Sequence, residues 1–184
     1  MRKKMIATLS PLVALCACAE TVSLDSEAQS GSPAATIIGS AQMLGADGTS
    51  VGMAALIAIG QRLELRLDVK GLEPGTHALH LHTTGACEAP DFTSAGGHLN
   101  PTGATHGKLS AGGQHLGDLP NIVIPSDGAF RQTLAIDADL AFATSAIFDA
   151  DGTAVMLHAG ADDYQTDPAG AAGPRIACGV IKKK

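Results

Sequence analysis

Histidine is the residue type that stands out in this chain of 184 residues: there are seven, gathered in or beside two segments. His80 and His82 are two apart inside an apolar-rich run. On a strand both imidazoles leave from the same face and can grip one ion from a rigid support. Alone, an H-x-H pair is as readily a pair of surface or core histidines. The segment that follows adds His98, His106, His115 and Asp118, at spacings of 8, 9 and 3, and His158 ends a later run. Imidazole suits copper and zinc, and three histidines with one carboxylate suit tetrahedral zinc. Metal binding is therefore the chemistry that these types and spacings point to.

The elements that must position them read as β-structure. Residues 61–70 alternate strictly, with Leu63, Leu65, Leu67 and Val69 on one side and Arg62, Glu64, Arg66 and Asp68 on the other. That period of two predicts a half-buried strand. Weaker runs predict strands at 35–43, 51–59, 77–82, 122–124, 129–136, 145–148, 154–158 and 175–181. Turn signals such as Asp47-Gly48, Glu73-Pro74-Gly75, Ser126-Asp127-Gly128 and Asp151-Gly152 separate them, at the spacing of an antiparallel sandwich or barrel. Two segments, 83–120 and 159–174, are too long and too rich in Gly, Pro, Asn and Asp for hairpins. Such loops usually carry function.

The N-terminus reads as an export signal over residues 1–19: Arg2, Lys3 and Lys4 precede an apolar stretch, 5–19, that ends in small residues and is short for a membrane span. Two processing sites are open. Ala17-Cys18-Ala19 is an A-x-A site cut before Glu20, whereas Leu15-Cys16-Ala17-Cys18 resembles a bacterial lipobox, with a signal ending at 17 and lipid on Cys18. The polar run 20–34 suits a flexible tether, which favours lipidation of Cys18 over plain secretion. Either way Cys16 is lost. Cys87 and Cys178 remain, and an oxidising compartment is expected to join them in a disulfide. Closing a loop of about 90 residues contributes at most roughly 4 to 5 kcal/mol on the chain-entropy model.

The block Gly75-Thr-His-Ala-Leu-His-Leu-His82 resembles the copper-binding strand of the copper/zinc superoxide dismutases, and Ala95-Gly-Gly-His-Leu-Asn-Pro101 resembles their bridging-histidine segment. The 8, 9, 3 spacing matches their zinc loop, and Arg175-Ile-Ala-Cys-Gly-Val-Ile181 resembles their closing signature. Cys87 and the Asp162-Asp163-Tyr164 segment resemble the exported bacterial branch. The likeness covers about 35–181. It implies an all-β domain over 35–184, an eight-stranded antiparallel Greek-key barrel or sandwich with two long functional loops. It further implies copper held by His80, His82, His98 and His158, and zinc held by His98, His106, His115 and Asp118. His98 would bridge the ions, leave copper on reduction and carry a proton for the product. Asp162 would tie a copper histidine to a zinc histidine, His77 would be structural, and Arg175 would hold an anion beside copper. Ala171, where the family usually has Asn, and Pro174, directly before Arg175, are departures that bear on where Arg175 sits.

By this resemblance the chain is a superoxide dismutase with copper and zinc as cofactors, lodged in the periplasm or envelope of a bacterium, and a monomer or homodimer. The alternatives are a copper/zinc-binding module of the same fold without turnover, and a zinc hydrolase, which Asp118 as a fourth ligand would close off. The formal net charge of −6, with basic runs only at the two ends, argues against a nucleic-acid partner. Losing Arg2, Lys3 and Lys4 with the signal takes that charge from −6 to −9.

Overall fold

A computed structural model describes residues 33–184. The export signal, the lipidation site at Cys18 and the tether up to residue 32 lie outside the described residues; Pro33 and Ala34 are exposed coil. Ten strands follow: β1 (Ala35–Gly45), β2 (Ser50–Ile59), β3 (Arg62–Val69), β4 (Gly75–His77), β5 (Leu79–His82), β6 (Ile122–Ile124), β7 (Phe130–Ile136), β8 (Ala154–His158), β9 (Arg175–Val180) and β10 (Lys182–Lys183). Eight of them form one curled antiparallel sheet, in the order β5-β8-β9-β1-β2-β3-β7, with β10 on β1; β4 and β6 pair separately.

The alternation in 61–70 is realised residue for residue. Leu63, Leu65 and Leu67 are fully buried and Val69 nearly so, each contributing roughly 1.5–3 kcal/mol by leaving water. Pairing with β2 sets Leu65 against Leu56 and Leu67 against Ala54, so one face of both strands is core. A second, smaller cluster holds Phe92, Ala95, Ala154, Met156 and Cys178 beneath the start of the 83–120 loop, with Cys87 against it. This cluster fixes the loop that reaches Arg175.

Two expectations for the elements need correction, and one short strand was not expected. Residues 145–148 are not a strand: they fall at the end of a helix, α1 (Leu140–Ile147). Asp139 caps it, accepting the Phe142 N–H at 3.0 Å, and Ala143 and Ile147 are its buried contacts with the core. The run 77–82 is two strands rather than one, because Ala78 sits between them and hands its N–H to the Gly160 carbonyl at 2.8 Å. β10 belongs to a stretch that the alternation does not mark.

Candidate metal centre

β5 supplies the rigid support. Leu79 and Leu81 face the core, so His80 and His82 emerge together on the opposite side, and all four are buried. The 83–120 loop lays its backbone along the free edge of this strand. Leu99 N–H donates to the Leu81 carbonyl at 2.8 Å, and Leu81 N–H to Gly117 at 2.9 Å. His82 thereby faces His98, and His80 faces Asp118, as bridge partners. The approach at Gly117 admits no side chain, since a Cβ there would lie 2.3 Å from the Leu81 oxygen. On the other edge β8 pairs with β5, and a bulge after Leu157 turns His158 toward the same centre.

Two donor sets result. In the first, each imidazole spends one nitrogen on the protein. His82 Nδ1 donates to the Gly96 carbonyl at 2.9 Å, His158 Nδ1 to Gly173 at 3.0 Å, and His80 Nε2 to Asp162 Oδ2 at 3.0 Å. What remains is His80 Nδ1 and the Nε2 atoms of His82, His98 and His158, four of the five buried side-chain polar atoms without a partner among the described residues. Donor atoms of these four histidines lie within 4.8 Å of one another. Buried polar atoms are almost always satisfied, so four such orphans gathered this closely are a group that could hold a cation.

In the second set the Nδ1 atoms of His98, His106 and His115 crowd one oxygen, Asp118 Oδ1, at 2.8, 3.1 and 3.1 Å. His98 Nδ1 and His115 Nδ1 are 3.4 Å apart. Bonds of 2.0–2.1 Å in a tetrahedron place ligand atoms about 3.3 Å apart, so the set has the dimensions of a zinc site. The other Asp118 oxygen accepts N–H from Gly107 at 2.8 Å and His115 at 3.0 Å. His98 serves both sets, one nitrogen each. Asp162, the carboxylate singled out beside them, bonds His80 Nε2 on the first set and His106 Nε2, at 2.9 Å, on the second.

The electrostatics favour the neutral form, the one that binds metal, at His82, His98 and His158. Burial first, then the neighbouring histidines, push His98 and His158 down to about 4 and His82 lower still. Burial alone would raise Asp118, but hydrogen bonds from His98 and the two backbone N–H groups outweigh it and hold it at about 2. The same contest leaves Asp162 well below the usual carboxylate range, through His80, His106 and the Tyr164 N–H.

A cleft of about 370 Å³ opens onto the first set, with His82, His98, His158, Asp167 and Arg175 in its wall. Arg175, half-buried at the start of β9, donates to the carbonyls of Phe92 and Gly96 at 2.6 Å each. Two of its five N–H donors are so used. The Cys87–Cys178 disulfide, three residues on, ties the same loop to the same strand. Pro174 leaves this arrangement intact, its carbonyl accepting the Ala159 N–H at 2.8 Å. Ala171 takes φ 51°, the left-handed region. His77 lies against backbone carbonyls of His158 and Glu73 and belongs to neither set. A larger groove, about 550 Å³ on the outer face of the sheet near Ala55 and Arg66, touches no histidine. Sequence reasoning overlooked Asn121 and named Tyr164 only as part of a resembling segment, without a role; both lie within the network around Asp162.

The family model "Copper/zinc superoxide dismutase (SODC)" matches residues 50–181. "Superoxide dismutase [Cu-Zn] 2" of Aquifex aeolicus is 43% identical over 145 residues, 77% of this chain and 85% of that protein. "Superoxide dismutase [Cu-Zn]" of Caulobacter vibrioides is 41% identical, covering 74% and 80%. Among solved structures, a SOD-like protein from Bacillus subtilis aligns with a TM-score of 0.72 at 34% identity over 77% of this chain and 96% of the other. The Cu/Zn superoxide dismutase from Brucella abortus aligns with a TM-score of 0.64 at 27% identity, over 81% and 100%.

Proposed function

This chain belongs to the copper/zinc superoxide dismutase family, and on that premise we propose that it converts superoxide to oxygen and hydrogen peroxide with copper on His80, His82, His98 and His158 and zinc on His98, His106, His115 and Asp118. The observation that carries the assignment is the four orphan ring nitrogens beside Arg175. When bound, copper on these histidines would supply one-electron redox chemistry toward superoxide, two protons being needed for the peroxide product, and zinc would supply a fixed positive charge beside His98.

The protein's own residues do the rest. His98, facing both sets, holds a proton on Nε2 whenever that nitrogen is not a ligand and delivers it to the product. Arg175, clamped by two carbonyls, keeps a planar cation at the cleft wall, where it receives a small anion through its remaining donors. A copper store has no use for such a group, which favours turnover over the binding-module alternative. Asp162 selects the ring nitrogens that His80 and His106 present, as carboxylates commonly do for ligating histidines.

We further propose that residues 1–19 carry an export signal that ends at 17, leaving lipid on Cys18, that 20–34 are a tether and 35–184 the catalytic domain, and that the protein lies on the periplasmic side of a bacterial envelope. The Cys87–Cys178 bridge supports the oxidising compartment. Single-ligand variants test the ligand assignment: His158→Ala is expected to lose copper and retain zinc, and His115→Ala to lose zinc. The reverse pattern overturns it.

A further inference from the structure

Asn121 belongs to neither donor set, yet its side chain grips the backbone of Asp162 from both sides. Its Oδ1 accepts the Asp162 N–H at 2.8 Å, and its Nδ2 donates to the Asp162 carbonyl at 2.9 Å. Its own N–H donates to the Tyr164 hydroxyl oxygen at 2.8 Å, and the Tyr164 N–H donates back to Asp162 Oδ1 at 2.6 Å. A two-point grip fixes both the position of a residue and the direction in which its side chain leaves the backbone. Here that side chain is the carboxylate reaching His80 and His106 at 3.0 and 2.9 Å, both fully buried contacts.

Asn121 also lies three residues beyond Asp118, the carboxylate of the second set, on the exit from the same loop. Residues 118–121 are therefore tied to the 159–174 loop by this carboxamide and by the Tyr164 hydroxyl. We infer that Asn121 is a positioning residue for both ion sites, aiming His80 and His106 by holding Asp162. The inference rests on the ligand assignment made above. Without the grip, the Asp162 carboxylate can swing, the Nε2–H groups of His80 and His106 lose their fixed acceptor, and each ring is freer to turn its Nδ1 away from the metal.

The test is equilibrium zinc affinity by competition with a coloured chelator, with the absorption of cobalt(II) at the zinc site as a spectroscopic signature. Asn121→Ala is expected to bind zinc about tenfold more weakly, the low end for partners behind the ligands, and to shift the cobalt bands. Asn121→Asp, which keeps the acceptor and loses the donor, is expected to fall between Ala and wild type, and serves if the Ala variant does not fold. Leu65→Ala, in the distant core, lowers the melting temperature for an unrelated reason and is expected to keep wild-type zinc affinity and cobalt spectrum. Asn121 variants that melt lower but bind zinc and cobalt as wild type does would show a structural role only and overturn the inference. Wild-type protein that retains no zinc would instead overturn the ligand assignment.

Discussion

Gly170→Ala should weaken zinc binding without replacing a ligand. Gly170 has φ +63°, and a Cβ added there would sit 1.8 Å from Asp162 Oδ1 and 2.7 Å from His106 Nε2. The Gly170 backbone cannot retreat freely, because its N–H is bonded to Thr166 at 2.6 Å and its carbonyl to the Asp163 N–H at 3.0 Å. The carboxylate must move instead. Reaching even 3.0 Å, the shortest separation that real Cβ atoms show, means a shift of about 1.2 Å from the 1.8 Å starting point. That stretches the 2.9 Å bond to His106 to about 4 Å, beyond any hydrogen bond. A buried imidazole left without its partner costs about 1–3 kcal/mol, and alanine in the left-handed region adds about 1–2 kcal/mol. Zinc affinity should fall about 10- to 100-fold. Gly48→Ala is the control: its φ is +79° with nothing within 4 Å of the added Cβ, so it carries the backbone cost alone. Chelator competition on both variants decides. Gly170→Ala binding zinc within twofold of the Gly48→Ala protein would refute the reasoning.

Other outcomes follow from the same geometry. Ala171→Asn, a residue more at ease at φ 51°, should raise stability by about 0.5–1 kcal/mol with metal content unchanged; a lower melting temperature would contradict this. Metal-free protein should lose stability as pH falls from about 6.5 to about 4, since His98 and His158 take protons near 6.5 when unfolded but only near 4 when folded. Below that, Asp118 adds its own loss as pH drops from its ordinary 3.8 toward 2, because its folded form resists protonation. A melting temperature that is flat or rising from pH 6.5 to 4.5 would contradict the histidine contribution. The second-order rate with superoxide should fall modestly with added salt, because Arg175 at the cleft is screened least while the distant acidic surface is already damped. Arg175→Ala should be slower and lose that slope; a rate equal to wild type would remove Arg175 from the mechanism.

What could be read from the sequence was whatever local chemistry dictates. β3 was legible because every outward position from Arg62 to Asp68 is polar and every inward one aliphatic. The histidines were legible by type, and their convergence by resemblance, because spacing alone cannot show that loop 83–120 lies along β5 through Gly117 and Leu99. Helix α1 was missed because Ser145 to Phe148 is apolar and short, and tertiary contacts of Ala143 and Ile147 decide its form; the Asp139 cap was the available signal. Asn121 left no mark. Its importance lies in a backbone 41 residues away in sequence, which neither composition nor period encodes. The disulfide followed from counting cysteines, and the structure closes it between Cys87 and Cys178.

The central claim is that the four buried orphan nitrogens are a redox copper site fed by the cleft at Arg175. Its most direct measurement is superoxide decay followed by pulse radiolysis on the metal-free domain reloaded with zinc alone and with zinc and copper, with metal content counted on the same samples. One copper and one zinc per chain, with fast decay proportional to copper, is the predicted result. A chain that fills with zinc but takes up no copper, or that takes up copper on these histidines and leaves superoxide decay unaccelerated, would contradict it.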